Sequence, residues 1–276
     1  VKVDLHCHSS ISDGLLSPTQ LVQRAADNGV QLLALTDHDD VSGLAEARLA
    51  ADEHGIRFID GVEVSVTWED TSIHVVGLGV DPSSSDLSTG LAEVRSGRGA
   101  RARRMANALE SIGIAGTLEG ASRYAKNPNL IGRTHFARYL VEQRIVADIK
   151  SAFDHYLVRG KPGFVPHLWA ALGQAVGWID GAGGIAVLAH PGRYRLSTKQ
   201  RQSLFEEFKA CGGRGIEVMS GAHGPQQERE FAAVARRFGF AASRASDFHG
   251  PGESRVDLGG TPELPEDLQP IWKTLL

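Results

Sequence analysis

The stretch Val1-Lys2-Val3-Asp4-Leu5-His6-Cys7-His8 reads as a short alternating strand that runs directly into two histidines. Residues two apart on a strand point to the same face, so His6 and His8 can grip one cation with two imidazoles while Cys7 faces the other way. Moving outward, Ser17 is a candidate N-cap, Pro18 takes the first helical position, Gln20 completes a capping box and Gly29 follows as a stop. A helix over 17–28 is therefore predicted, then a strand over 31–35 and a helix over 44–54. This β-α-β-α order is that of a parallel sheet clothed in helices. Further β-type runs at 57–59, 72–78, 185–189, 215–219 and 240–244 bring the count to about seven, which predicts an α/β barrel, with a doubly wound open sheet as the alternative.

Composition narrows the class. With 276 residues, 42% hydrophobic and 22% charged, the chain suits one large domain with an inserted subdomain, and it has no apolar run near the roughly 20 residues that span a membrane. Val1–His8 does not read as a signal peptide, and Cys7 and Cys211 are too few for a disulfide framework, so a cytoplasmic protein is expected. A net charge of -4 argues against a stable complex with a large nucleic acid. The sequence carries no signal for oligomeric state.

Between Pro82 and Pro166 the texture changes to a Ser-rich linker followed by arginine-rich and alanine-rich helical segments without a good strand. The chain is accordingly divided into a barrel over 1–81 and 167–276 and a helical insertion over 82–166 that caps the active-site face.

Metal-ligating residue types recur at the other strand ends. His38 sits in Thr36-Asp37-His38-Asp39, Glu63 just beyond the third strand, His74 in the fourth, His190 in Ala189-His190-Pro191, and Asp247 and His249 in Ser246-Asp247-Phe248-His249. In a parallel barrel all C-terminal strand ends meet on one face, so these residues are expected in one cup. Imidazoles mixed with carboxylates, without a thiolate set, suit Mn²⁺, Fe²⁺ or Zn²⁺ and allow a carboxylate to bridge two ions. Such clusters favour hydrolysis of phosphoesters, because a bridging water is acidified and charge on the phosphoryl oxygens is neutralised.

The order of these motifs, with Asp13-Gly14 after the first pair, resembles the PHP (polymerase and histidinol phosphatase) family over nearly the whole chain. Gly132-Arg133-Thr134-His135-Phe136-Ala137 and Lys161-Pro162-Gly163-Phe164-Val165 are similar to its stand-alone branch. The resemblance implies a distorted (β/α)₇ barrel and a trinuclear site often loaded with manganese. It also implies hydrolysis of either nucleoside 3′,5′-bisphosphates or short RNA from the 5′ end. It assigns His6, His8, Glu63 and Asp247 to one ion, Glu63, His74 and His190 to a second, and Asp13, His38 and His249 to a third. Asp13, His38, Glu63, His190 and His249 are the expected catalytic residues, with Asp13, His38 and His249 also touching substrate. Cys7 departs from the threonine common there, and its side chain is expected to point away from the metals.

Arg95, Arg98, Arg101, Arg103 and Arg104 cluster where the insertion turns helical, and Arg133 follows. Arginine suits bidentate phosphate capture, so Arg98, Arg101 and Arg133 are predicted to hold a second phosphate, while Arg103 and Arg104 read as a solvated face. His135 fits either a phosphate donor or a structural histidine. His223, just after the sixth strand, is a candidate substrate contact. His54, His155 and His167 carry no motif. Asp37 and Asp39 are read either as acceptors that orient imidazoles or as loop stabilisers. Gly183-Gly184 and Gly212-Gly213 are turn glycines without a dinucleotide fingerprint. The leading expectation is a phosphatase for a small phosphorylated nucleotide. A nuclease on a short 5′-phosphorylated oligonucleotide, a histidinol-phosphate phosphatase and a metal-stabilised binding module are the alternatives.

Overall fold

In a computed structural model that describes residues 1–275, the first helix starts where the caps predict. The Gln20 amide donates to the Ser17 hydroxyl at 3.2 Å, and the Ser17 amide donates to the Gln20 side chain at 3.0 Å. The strands are β1 (Val3–Asp4), β2 (Leu32–Leu35), β3 (Arg57–Trp68), β4 (Thr71–Leu78), β5 (Ala170–Ala171), β6 (Ile185–Leu188), β7 (Gly215–Ser220) and β8 (Ala241–Ala245). They follow the spatial path β1-β2-β3-β4-β6-β7-β8, with β5 paired to β3 outside that path. A parallel bridge between Cys7 and Phe248, and the Leu5 amide donating to Arg244 O at 3.1 Å, bring the two ends of the path together. The result is a nearly closed, seven-stranded α/β barrel, not an open sheet.

Two departures from expectation shape the site. The strand at 57–59 continues to Trp68, so Glu63 lies inside β3 instead of beyond it. The next strand, β4, runs antiparallel to both β3 and β6. Only Glu69 and Asp70 separate β3 from β4; two residues close a hairpin, whereas a parallel crossover takes a dozen or more. His74 thus reaches the cup from the middle of a reversed strand and not from a shared C-terminal edge.

Helices α1 (Pro18–Asp27) and α2 (Leu44–Glu53) cover the first strands. Between β4 and β5 every element is helical: α3 (Ser85–Ser96), α4 (Arg98–Glu110), α5 (Thr117–Ser122), α6 (Arg133–Glu142) and α7 (Ile149–Ala152), with short single turns beside them. Helices α8 (Leu172–Gly181), α9 (Thr198–Ala210) and α10 (Pro225–Phe238) complete the outer layer.

The apolar clusters separate these parts. Val3, Leu5, Leu32, Ile59, Val76 and Val187 belong to a cluster drawn from strands and the C-terminal turn alone, which places it within the sheet. Leu87, Leu91 and Val94 put α3 in the barrel's own core, where Gly90 lies so close under Trp178 that a Cβ would meet the indole at 2.4 Å. From Ala102 to Val165 the insertion has a hydrophobic cluster of its own, centred on Met105, Leu109, Phe136 and Leu140.

Candidate metal centre and cavity

Register brings the first donors together. Glu63 pairs with Val76 and Ser65 with His74, so Glu63 and His74 are diagonal neighbours on one face of the β3–β4 ribbon. His38, beyond β2, bridges to Glu63. His190 follows β6 with φ 26°, and Asp247 follows β8 with φ 55°. Asp13 hangs on a loop that folds back beneath β1; a Cβ on Gly14 would stand 2.2 Å from the His8 carbonyl oxygen, so only glycine fits that turn.

All nine predicted donors converge. His6 Nε2 and His8 Nε2 lie 3.3 Å from the two Glu63 oxygens, and 3.6 and 3.4 Å from Asp247 Oδ1. Glu63 Oε1 also lies 2.8 Å from His74 Nδ1 and 2.9 Å from His190 Nε2, and Glu63 Oε2 lies 2.7 Å from His38 Nδ1. Asp13 Oδ1 is 3.4 Å from His249 Nε2 and 4.0 Å from His38 Nε2. By proximity His8 joins Asp13, His38 and His249 in a group whose donor atoms lie within 4.8 Å of one another, and His190 also groups with His6 and Asp247.

The donor set fits divalent cations. His6 Nε2 and His8 Nε2 face each other at 3.0 Å, and Asp13 Oδ1, Glu63 Oε2 and His8 Nδ1 are buried without an aligned hydrogen-bond partner. Imidazole lone pairs and carboxylate oxygens aimed at common points are what such ions require.

The electrostatics follow from this crowding. Burial opposes ionisation of Asp13, Glu63 and Asp247, yet the surrounding histidines, with Arg193 beside Asp247, hold all three well below the usual carboxylate range. Burial lowers His8 to about 3, helped by His249 and His38, and lowers His74 to about 4. Burial also disfavours protonated His249, but the Asp13 and Asp247 carboxylates outweigh it and lift that ring to about 9. If His249 is a ligand, cation uptake displaces this proton, so divalent-metal binding to metal-free protein is expected to release acid and to tighten as pH rises towards 9. Calorimetric titrations in buffers of different ionisation enthalpy read the proton count; an affinity flat between pH 6 and 9 contradicts it.

The supports of the cup include residues that no motif announced. Glu217, in the middle of β7, accepts from His6 Nδ1 at 2.6 Å and from the His190 amide at 2.7 Å, which fixes the His6 tautomer with Nε2 turned inward. Replacing Glu217 with Ala is expected to weaken metal affinity by about 10–100-fold, measurable by competition with a fluorescent chelator. The Tyr194 hydroxyl accepts from the His74 amide and donates to Ala189 O. Asp37 and Asp39 prove to be loop and lid anchors and touch no imidazole. Asp37 accepts from the Ser9 amide and from the Ser9 and Ser12 hydroxyls; Asp39 accepts from the Ser65 amide and hydroxyl and from Arg98.

Above the cup is a cavity of about 580 Å³. Asp13, His38, His74, His190 and His249 form part of its lining, and Arg98, Arg101 and Arg133 line it from the insertion. Arg98 is held by Asp39 and Ser65, Arg98 and Arg101 both stack over Trp169, and Arg133 lies over Phe153. Burial and mutual repulsion pull Arg101 down to about 9 and Arg133 to about 10; both stay charged at neutral pH and unmatched by a carboxylate among the described residues. Such a cluster favours an anion. Arg193, which donates to Asp247 Oδ2 at 2.6 Å, also lines the cavity, as do Arg159 and Arg195. Arg103 and Arg104 are exposed.

Two predicted substrate contacts turn elsewhere. His135 is fully buried, and its Nδ1 accepts from the Gly132 amide at 3.0 Å, so it caps α6 and does not line the cavity. His223 is buried against Phe231; its Nδ1 donates to Val218 O at 3.1 Å and its Nε2 accepts from the Gly192 amide at 3.1 Å. With both nitrogens used, it braces the turn after His190.

The PHP domain family matches residues 4–220. The chain is 52% identical to the 3′,5′-nucleoside bisphosphate phosphatase of Chromobacterium violaceum, covering 99% of this chain and 96% of that protein. It is 41% identical to a 5′-3′ exoribonuclease of Haemophilus influenzae, covering 99% and 98%. A solved amidohydrolase from Chromobacterium violaceum, with sulfate bound and no metal, superposes with a TM-score of 0.97 at 52% identity over 100% of this chain and 96% of that one.

Proposed function

Because this chain belongs to the PHP domain family, we propose that it is a metal-dependent phosphoesterase that removes the 3′-phosphate of nucleoside 3′,5′-bisphosphates, such as adenosine 3′,5′-bisphosphate, leaving the nucleoside 5′-monophosphate and phosphate. The observation that carries this reading is the meeting of two chemistries in one cavity: a floor of imidazoles and carboxylates, and a wall of arginines of which Arg101 and Arg133 have no carboxylate partner among the described residues. One phosphate suits each.

Three divalent ions, manganese foremost with zinc or iron as alternatives, would be held by His6, His8, Glu63 and Asp247, by Glu63, His74 and His190, and by Asp13, His38 and His249. Bound there, they supply an acidified water and neutralise charge developing on the phosphoryl oxygens. The protein's own part is placement. Arg101 and Arg133 grip the remote 5′-phosphate, Arg98 is braced by Asp39 to do the same, and the 3′-phosphate is thereby directed to the floor. Asp13, His38 and His249 face the cavity, so the ion they would hold stands at the substrate side of the cup. Within the helical segment over 82–166, the part with its own core, Ala102 to Val165, serves as the lid that excludes bulk water.

No helix among the described residues is long and apolar enough to cross a membrane. Both cysteines are free thiols, which supports a cytoplasmic setting.

A second reading, trimming of short 5′-phosphorylated RNA, is favoured by Arg159 and Arg195, which line the same cavity and could take further backbone phosphates. The test is steady-state phosphate release from adenosine 3′,5′-bisphosphate by manganese-loaded protein, beside nucleotide release from a 5′-phosphorylated RNA oligomer. Faster turnover of the bisphosphate supports the phosphatase, preference for the oligomer supports the nuclease, and silence on both defeats the enzymatic reading.

A further inference from the structure

The nine donors differ in how firmly the fold holds them. Glu63 and His74 lie within strands, and His190 and Asp247 sit within two residues of one. Asp13 and His249 are borne on loops, nine residues past β1 and four past β8. These two loops lie side by side, with the Leu15 amide donating to His249 O at 2.7 Å.

One side chain of the lid fastens both. Arg138, on α6, is only 5% exposed. Its Nη2 donates to the backbone oxygen of Asp13 at 2.6 Å and to Glu253 Oε2 at 2.7 Å, while its Nε donates to Glu253 Oε1 at 2.9 Å. Glu253 belongs to the same loop as His249, where the Ser254 hydroxyl accepts from the His249 amide at 2.7 Å. A bidentate arginine–carboxylate pair, here with the arginine buried and the carboxylate partly so, is the most directional clamp that side chains offer. It sits on the same helix that carries Arg133 into the cavity.

We propose that Arg138 is a positioning residue that makes the Asp13–His38–His249 cation site depend on the lid, so that this ion is held tightly only while α6 is docked. The proposal rests on the metal-site reading above. It adds that the three sites are unequal: the one built on loops is weaker and is the one tied to the substrate-gripping helix.

The test is manganese counting by equilibrium dialysis and elemental analysis on the full chain. The double variant Arg138→Met, Glu253→Gln removes both charges together, which avoids leaving one buried and unpaired. It is expected to keep two ions at wild-type affinity and to bind the third about tenfold or more weakly, with an unchanged circular dichroism spectrum. The single variant Glu253→Gln, which keeps Arg138 on Asp13, is expected to weaken the same ion less. As a control, Arg123→Met, Glu142→Gln removes an exposed pair that also ends on α6 and is expected to keep all three ions. Three ions at unchanged affinity in the double variant, or equal weakening of all three, overturns the proposal. Fewer than three in the wild-type protein overturns the underlying metal-site reading instead.

Discussion

Glu63→Gln is expected to lower turnover of a nucleoside bisphosphate by on the order of 10³-fold or more and to cost the protein at least one bound ion. Glu63 is fully buried, and its two oxygens lie 2.7–3.3 Å from the rings of His6, His8, His38, His74 and His190. Glutamine keeps the shape but replaces one oxygen with an amide that donates, so it presents hydrogens where cations and imidazoles need a lone pair. No other carboxylate is placed between so many rings. Elemental analysis of the purified variant, together with its kcat at saturating manganese, measures both effects; full metal content with more than a tenth of wild-type turnover would remove Glu63 from the centre of the chemistry.

Arg133→Ala is expected to act on a different quantity. Arg133 packs over Phe153, lines the cavity and has no carboxylate partner among the described residues, so its charge is available to substrate. A hydrogen bond to a charged group contributes about 1.5–3 kcal/mol, so losing it should raise KM for adenosine 3′,5′-bisphosphate about 10–150-fold. Hydrolysis of p-nitrophenyl phosphate, which has no second phosphate, should be unchanged. If both substrates suffer equally, Arg133 serves the structure; if neither does, the remote phosphate is held elsewhere.

His6, His8, His38, His190, Asp247 and His249 were legible as candidate donors because each sits after a short apolar run, where the β-α rhythm marks a chain leaving a sheet; Asp13 and the grouping of the donors by ion came only from the family resemblance. The reversal of β4 was not legible, since the hairpin residues Glu69 and Asp70 carry neither glycine nor asparagine, and His74 reached the cup by a different route from the one expected. Glu217 was hidden because a polar residue inside an apolar strand reads as the solvent half of an alternation, although this one is 1% exposed. Arg138 was hidden likewise, as a charge on an amphipathic helix. His135 and His223 show the opposite failure: nearness to a motif in sequence says where a Cα lies but not where the ring points.

The backbone around the cup has a consequence for any attempt to improve this protein. Asp39, His190 and Asp247 all adopt positive φ, which costs a residue other than glycine about 1 kcal/mol or more. Two of the three are candidate metal donors, and the third braces Arg98. Glycine at Asp39 or Asp247 would strip the carboxylate from Arg98 or Arg193 and cost more than the strain it relieves, whereas glycine at His190 relieves the strain and removes only a candidate donor. His190 is therefore the position where selection for heat tolerance and selection for turnover pull apart, and a library built for the first should leave it fixed.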